Sequence, residues 1–257
     1  MPEGDAVRRA ANRLDDALRG EPLVGCELRW PSLADRSLHG MTTLEVVSRG
    51  KHLLHRLDSG MTVHTHLRMD GSWRVRPTRQ MTPKSVRRNS IRVLLATSEW
   101  TAIGDSLGMV DLIATRDEHQ VVGHLGPDLL GDDWDADTAA ALLRRQPQRA
   151  IGAALLDQRN LAGLGTIWTT ETLFHERVSP WTTVEDLSAP ALGAVLVTAH
   201  RLLNAAVVRH PAEVPHAAYG RAGQPCPRCG RLLRTGPIGE PPTQRTLGFC
   251  AGCQTGG

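Results

Sequence analysis

Apolar residues recur at helical spacing near the start of the chain, at Val7, Ala10, Ala11, Leu14, Ala17 and Leu18. Gly20 then closes what this pattern predicts as a first helix, with Asp5 as its cap. From Leu23 to Ala114 the period changes. Short segments that are rich in β-branched residues or alternate in polarity occupy 23–30, 42–49, 52–58, 61–67, 72–76, 91–97, 101–104 and 109–114. Turn signals such as Asp58-Ser59-Gly60 and Asp70-Gly71 separate them, which predicts an antiparallel β-sandwich. Beyond an acidic stretch that ends at Asp137, helical spacing returns over 138–145, 150–158, an element after Gly165, and 189–209. Past residue 220, Gly and Pro become frequent and the helical spacing vanishes. The expected fold is therefore multi-domain α+β. A β-sandwich with an N-terminal helix spans 1–126, a linker 127–134, a helical domain 135–220, and a small C-terminal element 221–257.

Composition narrows the class. The chain has 257 residues, 40% of them hydrophobic, enough for about two domains with ordinary cores. Uninterrupted apolar stretches such as 153–156 fall far short of the ~20 residues that cross a bilayer. Met1-Pro2-Glu3-Gly4-Asp5 is acidic where a signal peptide needs a basic end. A cytoplasmic monomer without membrane contact is the expectation. The net charge of +3 names no partner, but its distribution is uneven. Between Arg68 and Arg92 eight positive residues face Asp70 alone, a net of +7. Nine acids face Arg116 between Asp105 and Asp137, and five arginines face Glu240 after residue 220. Such runs are also what plain solvated surfaces carry.

Four of the five cysteines form Cys226-Pro227-Arg228-Cys229 and Cys250-Ala251-Gly252-Cys253, a C-x2-C-x20-C-x2-C pattern. Paired knuckles at this separation suit one tetrahedral zinc ion, Zn2+. Four thiolates leave no open position, so such a metal is structural and folds a segment too small for its own core. Cys26, within an apolar strand, reads as a small buried hydrophobe. At the other end, removal of Met1 exposes Pro2 as a secondary amine with a reference pKa of about 8, partly neutral at pH 7 and able to attack an electrophilic carbon. Glu3 beside it is placed to donate a proton, or else is simply an acid at a helix start.

Together, Met1-Pro2-Glu3-Gly4-Asp5, Ser48-Arg49-Gly50-Lys51-His52-Leu53, Asn160-Leu161-Ala162-Gly163-Leu164-Gly165, Tyr219-Gly220-Arg221 and Arg245 before the second cysteine pair resemble the formamidopyrimidine-DNA glycosylase/endonuclease VIII family. The match runs from Pro2 to Gln254. The resemblance implies an N-terminal β-sandwich, a helix-two-turns-helix domain and a zinc finger. It also implies damaged DNA as the partner, with the damaged nucleotide flipped out of the duplex. By the same resemblance Pro2 is the nucleophile on the sugar C1′, Glu3 the acid that assists ring opening, and Lys51 a hairpin lysine near phosphate and sugar. Asn160, the backbone amides of Gly163 and Gly165, and Arg245 bind the phosphate next to the lesion. Met69 and Leu107 fill the gap left by the flipped base. Taken singly, each has a plainer reading: Lys51 a surface strand residue, Asn160 a helix cap, the glycines ordinary turns, Arg245 a solvated charge, Met69 a core residue.

The activity so implied is that of a base-excision-repair DNA glycosylase and AP lyase working through a proline iminium and β,δ-elimination, with no diffusible cofactor. The Gly4-Asp5 start, and a stretch from Arg209 to Tyr219 too short for a base-capping loop, point to the endonuclease VIII branch and to oxidised pyrimidines. No arginine stands beside Leu107 to contact the opposite base, which leaves single-stranded or bubble DNA open beside duplex. Ala6 stands where many relatives carry a second glutamate. Two rival readings remain: a non-catalytic or lyase-only binder of damaged DNA, and a metal-dependent hydrolase built on His64 and His66, which share one face of a strand.

Overall fold

Alternation of polarity becomes two antiparallel sheets. The computed structural model describes residues 2–209 and 215–255. One sheet has the order β1-β6-β7-β5: β1 (Gly25–Leu28), β6 (Ile91–Ala96), β7 (Trp100–Asp105) and β5 (Ser72–Pro77). The other has the order β2-β3-β4-β8: β2 (Thr43–Arg49), β3 (His52–Leu57), β4 (Met61–His66) and β8 (Met109–Ala114). All neighbours pair antiparallel. Their inward residues, among them Val46, Leu53, Val63, Trp73, Val93, Leu95, Ala102 and Val110, make one core with Val7, Ala10, Ala11, Leu14 and Leu18 of helix α1 (Gly4–Leu18). The helix opens at Gly4, so Asp5 lies inside the first turn and is not its cap. Its carboxylate instead accepts the Trp168 indole N–H at 3.0 Å. Short helices α2 (Pro83–Val86) and α3 (His119–Val122) span too few residues for a period to reveal them.

Contacts divide the chain into Pro2 with residues 6–124, and residues 3–5 with those from 125 onward. In the second unit Asp135 caps α4 (Ala136–Arg144) and Ser188 caps α7 (Ala189–Val208), each accepting a backbone N–H from the first turn. Between them lie α5 (Ile151–Leu156) and α6 (Thr166–His175). Helix α7 is long and apolar enough to cross a membrane by composition alone. Leu192, Val195, Leu196, Ala199 and Leu203 instead bury one face of it in the helical core, with Leu143, Ile151 and Leu155. Residues 127–134, expected as a linker, are tied into this unit. Ala162 N donates to Pro127 O, Leu129 N donates to Ala162 O, and the Leu129 side chain is buried. A final hairpin, β9 (Arg234–Ile238) with β10 (Arg245–Phe249), inserts Leu247 and Ile238 against Ala153. The fold is α+β: a sandwich with an N-terminal helix, a helical part, and a four-cysteine element beside a hairpin.

Candidate active site and nucleic-acid interface

The N-cap position of helix α6 is Gly165, which has no side chain to satisfy the first backbone N–H groups. Glu3 supplies the missing cap from the far end of the sequence. Its carboxylate accepts Gly165 N at 2.9 Å, Ile167 N at 2.7 Å and Trp168 N at 3.3 Å, and the residue is 1% exposed. Three N–H donors at a helix N-terminus favour an ionised carboxylate over a carboxylic acid. Position 165 must be glycine, because a Cβ there would lie 2.4 Å from Glu3 Cδ. Gly4 is equally constrained: its N–H donates to Gly163 O at 2.9 Å, and a Cβ would meet Gly163 Cα and O at 2.9 Å. This seat fixes the backbone immediately after half-buried Pro2.

The turn from Asn160 to Gly165 differs from expectation in one respect. The amides of Gly163 and Gly165, expected to meet phosphate, are already bonded, Gly163 N to Gln158 Oε1 at 3.1 Å and Gly165 N to Glu3. Gln158 also donates to Leu156 O and Leu164 O, so one amide side chain splints the turn. These glycines seat the N-terminal segment, and Gly163 needs its positive φ of 98° to do so. Asn160 donates Nδ2–H to Ala154 O at 2.9 Å, which anchors it to the last turn of α5 and leaves its carbonyl oxygen out of that bond.

The four cysteine sulfurs lie within 4.8 Å of one another. Cys226 Sγ is 3.9 Å from Cys253 Sγ, and Cys229 Sγ is 3.5 Å from Cys250 Sγ. Thiolates about 2.3 Å from a tetrahedral ion stand about 3.8 Å apart, so the set fits a metal ion. The knuckle is tied to α6 by Arg228, which donates to Phe174 O and His175 O and lies over the Phe174 ring. Glu171 accepts the backbone N–H groups of Ala217, Ala218 and Tyr219 at 2.8–2.9 Å, ordering the Tyr219-Gly220-Arg221 motif. Sequence reasoning passed over Glu171, although a lone acid in an apolar helix signals such partners. Arg245 opens β10 at the exposed end of the hairpin, its Nη1 on Thr243 O and Gln244 O. The short 209–219 stretch includes residues 210–214, which lie outside the described residues.

In the first unit Lys51 sits at the tip of the β2–β3 hairpin, next to Gly50 with φ of 57°. Beside it runs an arrangement that the sequence did not announce. His64 is 1% exposed; its Nδ1 is 3.3 Å from Asp111 Oδ2 and its Nε2 is 2.8 Å from His52 Nδ1. A carboxylate only accepts, so His64 carries its proton on Nδ1 and accepts from His52 Nδ1–H. Burial, then the neighbouring imidazoles and Arg68, push His52 down to about 3. Burial, then Arg68 and Lys51, push His66 down to about 4. His66 Nδ1 also accepts Arg68 N–H at 2.9 Å. With both ring nitrogens of His64 engaged, the histidine pair is not a metal site.

The two wedge candidates part company. Met69 is 61% exposed on the turn after β4, which rules out the core reading and leaves it available as a wedge. Leu107 is only 3% exposed and belongs to the sandwich core. Ser106 takes φ of 52°, and the side chain after it turns inward against Gly104 and Trp73. The assignment of Leu107 as a wedge is therefore corrected: its energy lies in packing.

Residues 1–111 match the formamidopyrimidine-DNA glycosylase N-terminal domain, and residues 125–214 match the formamidopyrimidine-DNA glycosylase H2TH domain. A Streptomyces coelicolor protein named probable endonuclease 8 2 is 45% identical over 100% of this chain and 95% of its own length. Endonuclease 8 2 of Mycobacterium tuberculosis is 39% identical over 99% of this chain and 100% of its own. DNA-(apurinic or apyrimidinic site) lyase Nei2 of Mycolicibacterium smegmatis is 37% identical over 99% of both. A crystal structure of Lactococcus lactis formamidopyrimidine-DNA glycosylase bound to DNA with an AP site has a TM-score of 0.84, covering 99% of this chain and 100% of that one. At 22% identity that likeness speaks for the fold. Relatives this similar along almost the whole length make the chain a member of the formamidopyrimidine-DNA glycosylase/endonuclease VIII family.

Proposed function

We propose that this chain is a bifunctional DNA glycosylase and AP lyase that removes oxidised bases, pyrimidines foremost, from damaged DNA. The neutral Pro2 amine, freed by loss of Met1, attacks C1′, the base leaves with a proton from water, and the C1′–O4′ bond breaks as O4′ takes the proton that the Pro2 nitrogen gives up. The resulting iminium withdraws electrons, so the C2′ proton is lost and the 3′ phosphate is expelled; a second elimination expels the 5′ phosphate. Hydrolysis then returns Pro2. Glu3 and Lys51 stand beside the sugar, Asn160 and Arg245 hold the flanking phosphates, and Met69 fills the emptied stack. The observation that carries the reading is the seat of Glu3 on the α6 N-terminus, which holds residues 3 and 4 rigidly next to the nucleophile. A carboxylate so held favours the role of stabilising positive charge at C1′ over giving up a proton.

Cys226, Cys229, Cys250 and Cys253 hold one Zn2+, which shapes the finger and supplies no chemistry to the reaction. Cysteine pairs that hold a metal ion agree with a reducing cytoplasm, where the enzyme works on DNA as a monomer. Borohydride trapping on oligonucleotides bearing 5-hydroxyuracil, dihydrouracil, 8-oxoguanine or an abasic site tests the reading. Cross-linking at Pro2, strongest on the pyrimidine lesions, is expected. A cross-link at Lys51 or Lys84 overturns the nucleophile, trapping on the abasic site alone reduces the protein to a lyase, and no trapping after confirmed Met1 removal leaves a binder.

A further inference from the structure

The sheet β1-β6-β7-β5 has a second face that the sandwich core does not use. Trp73, Val93, Leu95 and Ala102 point inward, whereas Ile91, Leu94 and Ile103 form a separate apolar cluster with Met81 and Val86. Those two roof residues come from the segment joining β5 to β6. That segment is held by the capping box between Thr82 and Ser85 at α2, and by Arg29, whose Nη1 donates to Val86 O at 2.6 Å. The roof leaves a recess of about 290 Å³, with Ile91 and Ile103 of the sheet as its floor, Met81 of the roof at its side, and Arg74, Arg76 and Arg88 around it.

The side-chain period of two along β5 puts Arg74 and Arg76 on the same face, opposite Trp73. Asp105 accepts from Arg74, and Arg88 Nη1 lies 4.0 Å from the same carboxylate. That acid answers one of three guanidinium charges and orients two of them. The remaining excess belongs to the most basic stretch of the chain, 68–92. The reaction described above uses none of these residues.

A ligand for this recess must bring both negative charge and an apolar group. Guanidinium forks pair with carboxylates in two-point geometry, and an apolar floor gains only from an apolar side chain. A duplex backbone satisfies the arginines but offers nothing to the floor. The volume lies at the lower end of ligand pockets and takes one large side chain and its flanks, not a folded surface. We propose that the recess is a docking site for an acidic peptide of a partner protein, whose apolar side chain covers Ile91, Ile103 and Met81 while its flanking carboxylates pair with Arg74, Arg76 and Arg88.

The test uses the full chain and a fluorescein-labelled peptide of four aspartates followed by leucine and phenylalanine, read by anisotropy. Saturable binding that weakens with added salt is expected. Binding falls at least tenfold in Arg76→Glu and in Arg88→Glu, and at least tenfold again when the peptide's two apolar residues become serine. Thermal midpoint and base excision stay at wild-type values in both variants. Equal binding of the serine peptide reduces the recess to a charged patch and overturns the proposal. So does binding unchanged in both variants, or no binding by wild-type protein. If the variants lose affinity for undamaged duplex in parallel and duplex displaces the peptide, the arginines are DNA contacts and the peptide site is refuted.

Discussion

His55 is buried on β3, its Nε2 2.8 Å from Thr43 Oγ1, and desolvation pushes its imidazole down to about 4. An unfolded histidine titrates near 6.5, so below that pH the unfolded chain binds a proton that the folded chain refuses. The stability tied to His55 is therefore whole above pH 6.5 and drains as the pH falls toward 4. His52 and His66, lowered to about 3 and about 4, act in the same direction. Urea unfolding at pH 7.5 and at pH 5 should show wild-type protein losing about 2 kcal/mol more than His55→Gln across that interval. Equal losses would remove His55 from the acid limb. Glu3 needs a second single-residue experiment. Glu3→Gln turns one acceptor into a donor facing helix N–H groups and should cost about 1–3 kcal/mol of stability as well as base excision. Measured alongside activity, an unchanged unfolding midpoint would mean that Glu3 acts only on the substrate.

At the scale of elements, the loops after β4 and β7 separate what the sequence shows from what it hides. Strands and long helices were legible because burial imposes a period of 2 or 3.6 over many residues, and every one of the eight sandwich segments became a strand. The cysteine knuckles were legible because a metal dictates the spacing within each pair. Loops carry no period. In Gly104-Asp105-Ser106-Leu107-Gly108 the inward course of Leu107 follows the left-handed φ of Ser106, a residue type that does not demand it. The glycines of the Asn160 turn were recognised, but their partners, Gln158 and a carboxylate 162 positions away, were not. The loops predict opposite phenotypes. Leu107→Ala should lower stability by about 2–4 kcal/mol, as buried leucines do. Met69→Ala should leave the thermal midpoint in place and slow excision from duplex DNA several-fold, with less effect on single-stranded substrate. A large shift in midpoint for Met69→Ala would return that residue to the core.

For the whole molecule, the sandwich and the C-terminal element rest on cores of different kinds. The sandwich closes on aliphatic side chains and Trp73, all from residues 7–110. The C-terminal element relies on Cys226 and Cys250, packed with Phe174, Ala218 and Leu233. Thiolates without a metal repel one another, and a cluster this small does not offset the entropy of ordering its loops. Removing the metal should therefore melt one part and spare the other. After chelation under reducing conditions, hydrogen exchange should become fast at the backbone amides of 226–253, while those of β2, β3, β4 and β8 stay protected. Release of one zinc per chain should accompany the change, and Cys226→Ser should reproduce it without chelator. Helix α6 is the sensitive boundary, because Arg228 bonds the carbonyls at its C-terminal end while Glu3 caps its start. If exchange at 166–170 stays slow after the finger has melted, the Glu3 cap alone sustains the seat beside Pro2. In that case metal-free protein should keep its borohydride-trappable amine on abasic DNA at high concentration while losing affinity. If exchange at 166–170 accelerates together with the finger, the seat depends on the metal, and trapping should disappear at every concentration.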